Sequence, residues 1–209
     1  MAEVRNGFLH LLAKPRVYDA FQSLVGAYAW RERAIRSSCA GRLAAGAVVV
    51  DVGCGTAKIL DYLPNGIQYI GLDRNEQYLE SARQRFSERD ARFLCEDLGA
   101  GDVLGGIRAD AVLAIGLLHH LNDEECRQLI DSAARVLRDD GFMMTLDPVY
   151  CGEQSKLARA VVSRDRGRSV RTVKGYESLL HSCFRKVTST VDLSPIRIPY
   201  TGVLIEAFK

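Results

Sequence analysis

The segment VVVDVGCG, residues 48–55, constrains the fold more than any other part of the chain. A continuous β-branched run reads as a strand buried on both faces, the habit of parallel sheets. It stops on Gly53-Cys54-Gly55, and a helical pattern over Thr56 to Leu63 follows at once. Glycines at such a junction allow a tight turn and let a ligand approach the backbone. The following helix would offer free N–H groups and partial positive charge. A loop of this kind receives either a dinucleotide pyrophosphate or the carboxylate of an amino-acid-like cofactor. Asp51, two residues before Gly53, would repel a pyrophosphate but could receive an ammonium. Lys58 stands where a dinucleotide loop carries its third glycine.

Short apolar runs then alternate with helical patterns. Strands are predicted at Ala47 to Val52, Ile67 to Leu72, Ala91 to Cys95, Ala109 to Gly116 and Phe142 to Asp147. Helices are predicted at Thr56 to Leu63, at Glu76 to Phe86, and from an Asn122 cap to about Leu137. Glu125, three residues after Asn122, completes a capping-box pattern. Asp139-Asp140-Gly141 would end that helix. Two last strands, RKVTSTVDL and GVLIEAF, have no helix between them and predict an antiparallel hairpin at the sheet edge.

The expected fold class is α/β, a doubly wound Rossmann-like seven-stranded sheet with a C-terminal antiparallel hairpin and an N-terminal helical extension. Residues 1–209 fit a single domain. Within it, 1–45 form a helical cap, 46–147 a cofactor-binding core, 148–184 a substrate-side insertion with two short helices, and 185–209 the hairpin.

Charge and cysteine usage narrow the function classes. With 28 Lys and Arg against 26 Asp and Glu, the net charge of +2 does not favour a polyanion over the whole surface. Six cysteines are scattered without a C-x-x-C pair, so no metal site and no disulfide framework is expected. A reducing, cytoplasmic setting follows as an expectation. No apolar run reaches the ~18 residues of a membrane span, and the first residues lack a signal-peptide cleavage pattern.

Taken in order, VVVDVGCGTA, YIGLDRN, FLCEDL, ADAVLAIGLLHHL and LRDDGFMMTLDP resemble the motif set of the class I S-adenosylmethionine-dependent methyltransferases, of the small bacterial type. The resemblance spans about residues 47 to 148. It implies S-adenosylmethionine as methyl donor and S-adenosylhomocysteine as product. It places Asp51, Gly53 and Gly55 on the methionine part and Asp73 on the ribose hydroxyls, with Cys54 and Arg74 also among the cofactor contacts. Asp97 and Leu98 face the adenine, and Ile115 and Gly116 line the cofactor from the fourth strand. An acid eighteen residues past Gly55 also suits ribose hydroxyls on its own account. Ala57 departs from the family, which has glycine there in many members.

Methyl transfer from a sulfonium needs alignment, and only sometimes a base. Candidates for catalysis are His119 and His120, after the fourth strand, and Asp147, closing the fifth. Tyr18 and Tyr150 are candidate acceptor contacts. A basic run from Lys156 to Lys174 holds Arg166 and Arg168, and its sole acid is Asp165. Arginine forks there would suit a phosphate or carboxylate, or the run would be a solvated face. Tyr18, Phe21, Tyr28 and Trp30 have the spacing of an apolar lid over the cleft, or of ordinary core. The expected acceptor is small or lipid-like and anionic, methylated on oxygen or nitrogen. The short basic run and the lack of an RNA-binding module disfavour nucleic acid. Two other classes compete. One is a non-catalytic protein that keeps the cofactor fold for binding or regulation. The other is an NAD-dependent oxidoreductase, which Asp51 and Lys58 disfavour.

Overall fold

A computed structural model describes residues 15–98, 103–165, 167 and 169–209. Two helices come first, α1 (Pro15–Leu24) and α2 (Ala27–Cys39). The strands are β1 (Val48–Val52), β2 (Gln68–Leu72), β3 (Ala91–Leu94), β4 (Ala109–Ile115), β5 (Leu137–Tyr150), β6 (Arg171–Thr172), β7 (Lys186–Asp192) and β8 (Gly202–Phe208). Helices α3 (Glu76–Arg85), α4 (Asp123–Val136), α5 (Lys156–Val162) and α6 (Val173–Leu180) lie between them. The sheet order is β3-β2-β1-β4-β5-β8-β7, with β6 pairing off this path to β5. Strands β1 to β5 are parallel along that order, and β5-β8-β7 are antiparallel. This is the expected Rossmann-like class with its terminal hairpin; the two-residue β6 makes eight strands among the described residues where seven were expected.

The order reverses between β1 and β4, so the loops after these strands diverge and open a crevice at their C-terminal ends. All of β1 is buried. Val48, Val50 and Val52 pack with Val112, Ala114 and the inner faces of α4 and α6. Val49 packs on the opposite face with Ile35 of α2, Tyr69 and Leu113. Alternation along the strand puts Asp51 on that second face. The capping box at Asn122 and Glu125 is complete in both directions.

Three local expectations are corrected. Thr56 to Leu63 is not an α-helix; a turn leads into a 3-10 helix over Lys58–Tyr62. The cause lies in the turn, where Gly53, Gly55 and Ala57 all have positive φ, and Thr56 donates to Asp19 of α1 at 2.8 Å. The helical cap expected over residues 1–45 holds, among the described residues, two helices, α1 and α2, broken at Gly26, whose φ is 83°. Asp139-Asp140-Gly141 follows the end of α4, but within β5: register jumps from Ala109–Leu137 to Ala111–Phe142, and the residues between bulge outward.

Ala57 is the sole non-glycine with positive φ (52°) among the described residues, and it is fully buried. Ala57→Val should cost roughly 2–4 kcal/mol, from a β-branched residue in the left-handed region and from overpacking. Ala57→Gly should stay within about 1 kcal/mol of the parent, because relief of backbone strain offsets the lost buried methyl. Urea denaturation of both variants checks this.

Candidate cofactor and acceptor site

The turn after β1 is held from beneath. Gly53 and Cys54 both donate to the Leu72 carbonyl of β2, at 2.8 and 3.0 Å. Asp73, at the end of β2, accepts from Gly55 N through Oδ2 and from Asn75 N through Oδ1, each at 2.8 Å. The acid and the glycine loop are thus one hydrogen-bonded unit. Burial pushes the Asp73 carboxyl up, against the pull of its N–H donors. Gly71 makes room for this arrangement. A Cβ there would come within 2.8 Å of Cys54 Sγ and 3.0 Å of Phe93.

Two cavities meet at Gly53. The larger, about 350 Å³, is lined by Gly53, Leu72, Asp73, Arg74, Asp97, Leu98 and Leu117 among others. Arg74 forks onto the Asp97 carboxylate, with Nε at 2.8 and 2.7 Å from its two oxygens. The smaller cavity, about 40 Å³, is lined by Asp51, Gly53, Cys54, Gly55, Ile115 and residues of α1 and α2 that include Tyr18, Tyr28 and Arg31. Gly116 stands beside it, with Arg31 Nη2 3.6 Å from where its Cβ would lie. The ten residues expected around the cofactor are therefore gathered at these two cavities.

Asp51 is almost fully buried and accepts from Tyr69 OH. Burial raises its carboxyl to about 7 despite that bond. Asp19 of α1 accepts from both Tyr28 OH and Thr56 Oγ1, fastening α1 across the glycine loop. Tyr18 also packs its ring on Tyr78 of α3, centroids 5.6 Å apart. Of the four residues expected as a lid, Tyr18 and Tyr28 line the cavity, whereas Trp30 packs over Gly202 at the start of β8.

The candidate catalytic residues form a separate cluster beyond β4. His119 Nδ1 lies 2.7 Å from Asp147 Oδ1, and Nε2 lies 3.3 Å from Asp165 Oδ1. Tyr200 OH donates to Asp165 Oδ2 at 2.8 Å. Burial disfavours charge on His119, but bonding to the two carboxylates outweighs it and raises the imidazole to about 9. For Asp165, burial is likewise outweighed by His119, which holds the carboxyl well below its ordinary range. Asp147 is fully buried. His120 stacks on His119 with centroids 4.0 Å apart. Tyr150 is half-buried beneath the Arg159 guanidinium, 4.8 Å from its centroid. Arg171 of the basic run bonds Asp123 and the Leu118 and Leu121 carbonyls, so it serves the fold. Arg166 and Arg168 lie outside the described residues.

A methyltransferase domain family matches residues 49–141, the span from β1 into β5 that builds both cavities. Over that span the chain is similar to the class I S-adenosylmethionine-dependent methyltransferases. The chain is 30% identical over 122 residues to mouse tRNA (carboxymethyluridine(34)-5-O)-methyltransferase ALKBH8, covering 56% of this chain and 18% of that protein. It is 27% identical over 179 residues to methyltransferase GfsG of Streptomyces halstedii, covering 79% and 62%. Human N-acetylserotonin methyltransferase in complex with S-adenosylmethionine superimposes with a TM-score of 0.69 at 17% identity, covering all of this chain and 61% of that one. At that identity the likeness is one of fold. The chain thus spans 18% of the mouse protein's length and 62% of GfsG's.

The two cavities fit S-adenosylmethionine. One holds carboxylates suited to ribose hydroxyls, and the other holds a carboxyl group and a guanidinium suited to an amino-acid zwitterion. Sequence reasoning missed Asp19, Arg31 and Tyr200. It met Asp165 only as the lone acid of a basic run, and that oddity was the available signal. Among the described residues no His, Cys, Asp and Glu group could hold a metal ion, and no helix is long and apolar enough to cross a membrane.

Proposed function

We propose that this methyltransferase transfers a methyl group to a small or lipid-like anionic acceptor, on oxygen or nitrogen, at the C-terminal ends of β4 and β5. The observation that carries the cofactor half of this reading is the meeting of the two cavities at Gly53. Asp73 would take the ribose hydroxyls, Asp97 and Leu98 the adenine, and Asp51, Gly53 and Gly55 the methionine part. When bound, S-adenosylmethionine supplies an activated methyl on a sulfonium.

The acceptor half rests on what the histidine cluster cannot do. Both His119 ring nitrogens are engaged by carboxylates, so a protonated His119 has no lone pair for an acceptor's proton. Asp147 is fully buried behind it. His119 and Asp147 act here as positioning residues, tying Asp165 and Ser169 to the turn after β4 through the His119 ring and through Ser169 N on the His119 carbonyl. An anionic acceptor, already ionised, needs no base. The six free cysteines support the cytoplasm as its setting.

The test is S-adenosylhomocysteine release from S-adenosylmethionine with a panel of carboxylates, phosphate esters and fatty acids, against matched neutral alcohols. Turnover confined to the anions is expected. Turnover of the alcohols alone would overturn the acceptor class. A folded protein that binds cofactor but turns over nothing would favour a binding or regulatory role.

A further inference from the structure

Strand β7 ends the sheet on one side. Its inner edge pairs β8 in unbroken register from Lys186–Phe208 to Asp192–Gly202, and among the described residues no strand takes its outer edge. The backbone N–H and C=O groups of such an edge are a template for another strand. Helix α6 covers only one face: Ser189 Oγ donates to Glu177 Oε1 at 2.6 Å, and Val187 packs against the core that includes Leu179 and Leu180. Thr188, Thr190 and Val191 stay exposed, as does Leu193 just beyond the strand.

The outer edge is its own chemical complement. β7 reads Lys-Val-Thr-Ser-Thr-Val-Asp, a palindrome of five residues between opposite charges. Laid antiparallel on a second copy, with Ser189 on a two-fold axis, it sets Val187 beside Val191, Thr188 beside Thr190 and Lys186 beside Asp192, each pair formed twice. Alternation along the strand keeps each pair on one face, and opposite charges, threonines and apolar residues are favourable cross-strand neighbours. A two-residue slip would set Lys186 beside Thr190 or Ser194 and lose the ion pairs, so the charges fix the register. Both ends are disposed to this use. Lys186 lies over the Phe208 ring and pairs with no carboxylate among the described residues. Asp192 accepts from Ser194 N through Oδ1 at 3.0 Å and meets Arg33 only at 3.9 Å. The opposite sheet edge lacks these properties. β3 has four residues, a two-fold would set Arg92 beside Phe93, and Arg83 already bonds the Phe93 carbonyl at 2.9 Å.

We propose that two copies of this chain join edge to edge through β7, forming one continuous sheet that the two-fold axis closes against further growth. The dimer depends on neither the cofactor nor the acceptor. Seven residues of one strand, extended by Leu193, make a small interface, so its dissociation constant should lie in the micromolar range.

Charge reversal tests both the surface and its register. Lys186→Asp sets acid against acid twice across the axis, and Asp192→Lys sets base against base twice. Each variant alone should raise the dissociation constant by roughly 10- to 30-fold. Mixed in equal amounts, the two variants regain both ion pairs in the heterodimer, and the constant should return to within about threefold of the parent. Sedimentation velocity on a dilution series up to ~100 μM measures this, with proteins whose circular dichroism matches the parent. A monomeric parent, a dimer indifferent to either reversal, or a mixture no tighter than its components would overturn the interface.

Discussion

Replacing His119 with alanine is expected to destabilise the protein by roughly 3–5 kcal/mol, the usual cost of removing one partner from a buried charge cluster. Asp147 is fully buried and its Oδ2 has no hydrogen-bond partner among the described residues, so Oδ1 depends on His119 through both the ring and the backbone N–H. Without the ring, Asp147 keeps only that N–H, and Asp165 keeps Tyr200 and the Gly167 N–H. Gly167 itself lies where a Cβ would meet the His119 ring at 2.0 Å, so Gly167 is packed against the imidazole to which Asp165 is bonded.

The same cluster sets a pH dependence. The imidazole rises from an ordinary 6.5 to about 9 in the folded protein. A raised pKa stabilises the fold fully below the unfolded value, and the gain fades as pH climbs through the folded one. The shift corresponds to about 3 kcal/mol, lost progressively between about pH 6.5 and 9. Asp165 runs the other way: its depressed carboxyl stabilises the fold above the ordinary carboxylate range, and this is lost as pH falls. Urea midpoints of the parent should therefore decline through the alkaline window, and those of His119→Ala should not. Parallel pH profiles for the two proteins would contradict the assignment.

The second large effect concerns Gly53, placed at φ 72° with Leu117 Cδ1 only 3.0 Å from where a Cβ would stand. Gly53→Val puts a β-branched residue into the left-handed region and into Leu117. The strain is about 1–2 kcal/mol, relieved only by shifting the turn that both cavities share. Affinity for S-adenosylhomocysteine should fall by roughly 100-fold, about 3 kcal/mol, while circular dichroism stays that of a folded protein. Near-parental affinity in a folded Gly53→Val protein would mean that the ligand is held elsewhere.

These effects show which parts of the molecule local sequence could reveal. Strands β1, β2 and β4 were legible because short buried apolar runs bounded by turn residues have few other uses. The Asn122 cap was legible because its partner Glu125 is three residues away. The helix expected after β1 was not, since left-handed Ala57 and the tie from Thr56 to Asp19 depend on a helix 37 residues earlier in the chain. Arg31 was invisible for a related reason. Nothing around it in α2 distinguishes it from Arg33 or Arg36; only the packing of α2 beneath β1 turns it toward Asp51. His119 was named for its chemistry, but its partners Asp147 and Asp165 lie 28 and 46 residues on, and no local pattern announces that they take both ring nitrogens.

The cofactor site is tested most directly by calorimetric titration of the unaltered protein with S-adenosylhomocysteine, with NADH in parallel. One equivalent of S-adenosylhomocysteine binding at micromolar affinity, with no heat from NADH, is the expected result. Binding of NADH alone, or of neither ligand to folded protein, would contradict the assignment of the two cavities at Gly53 to S-adenosylmethionine.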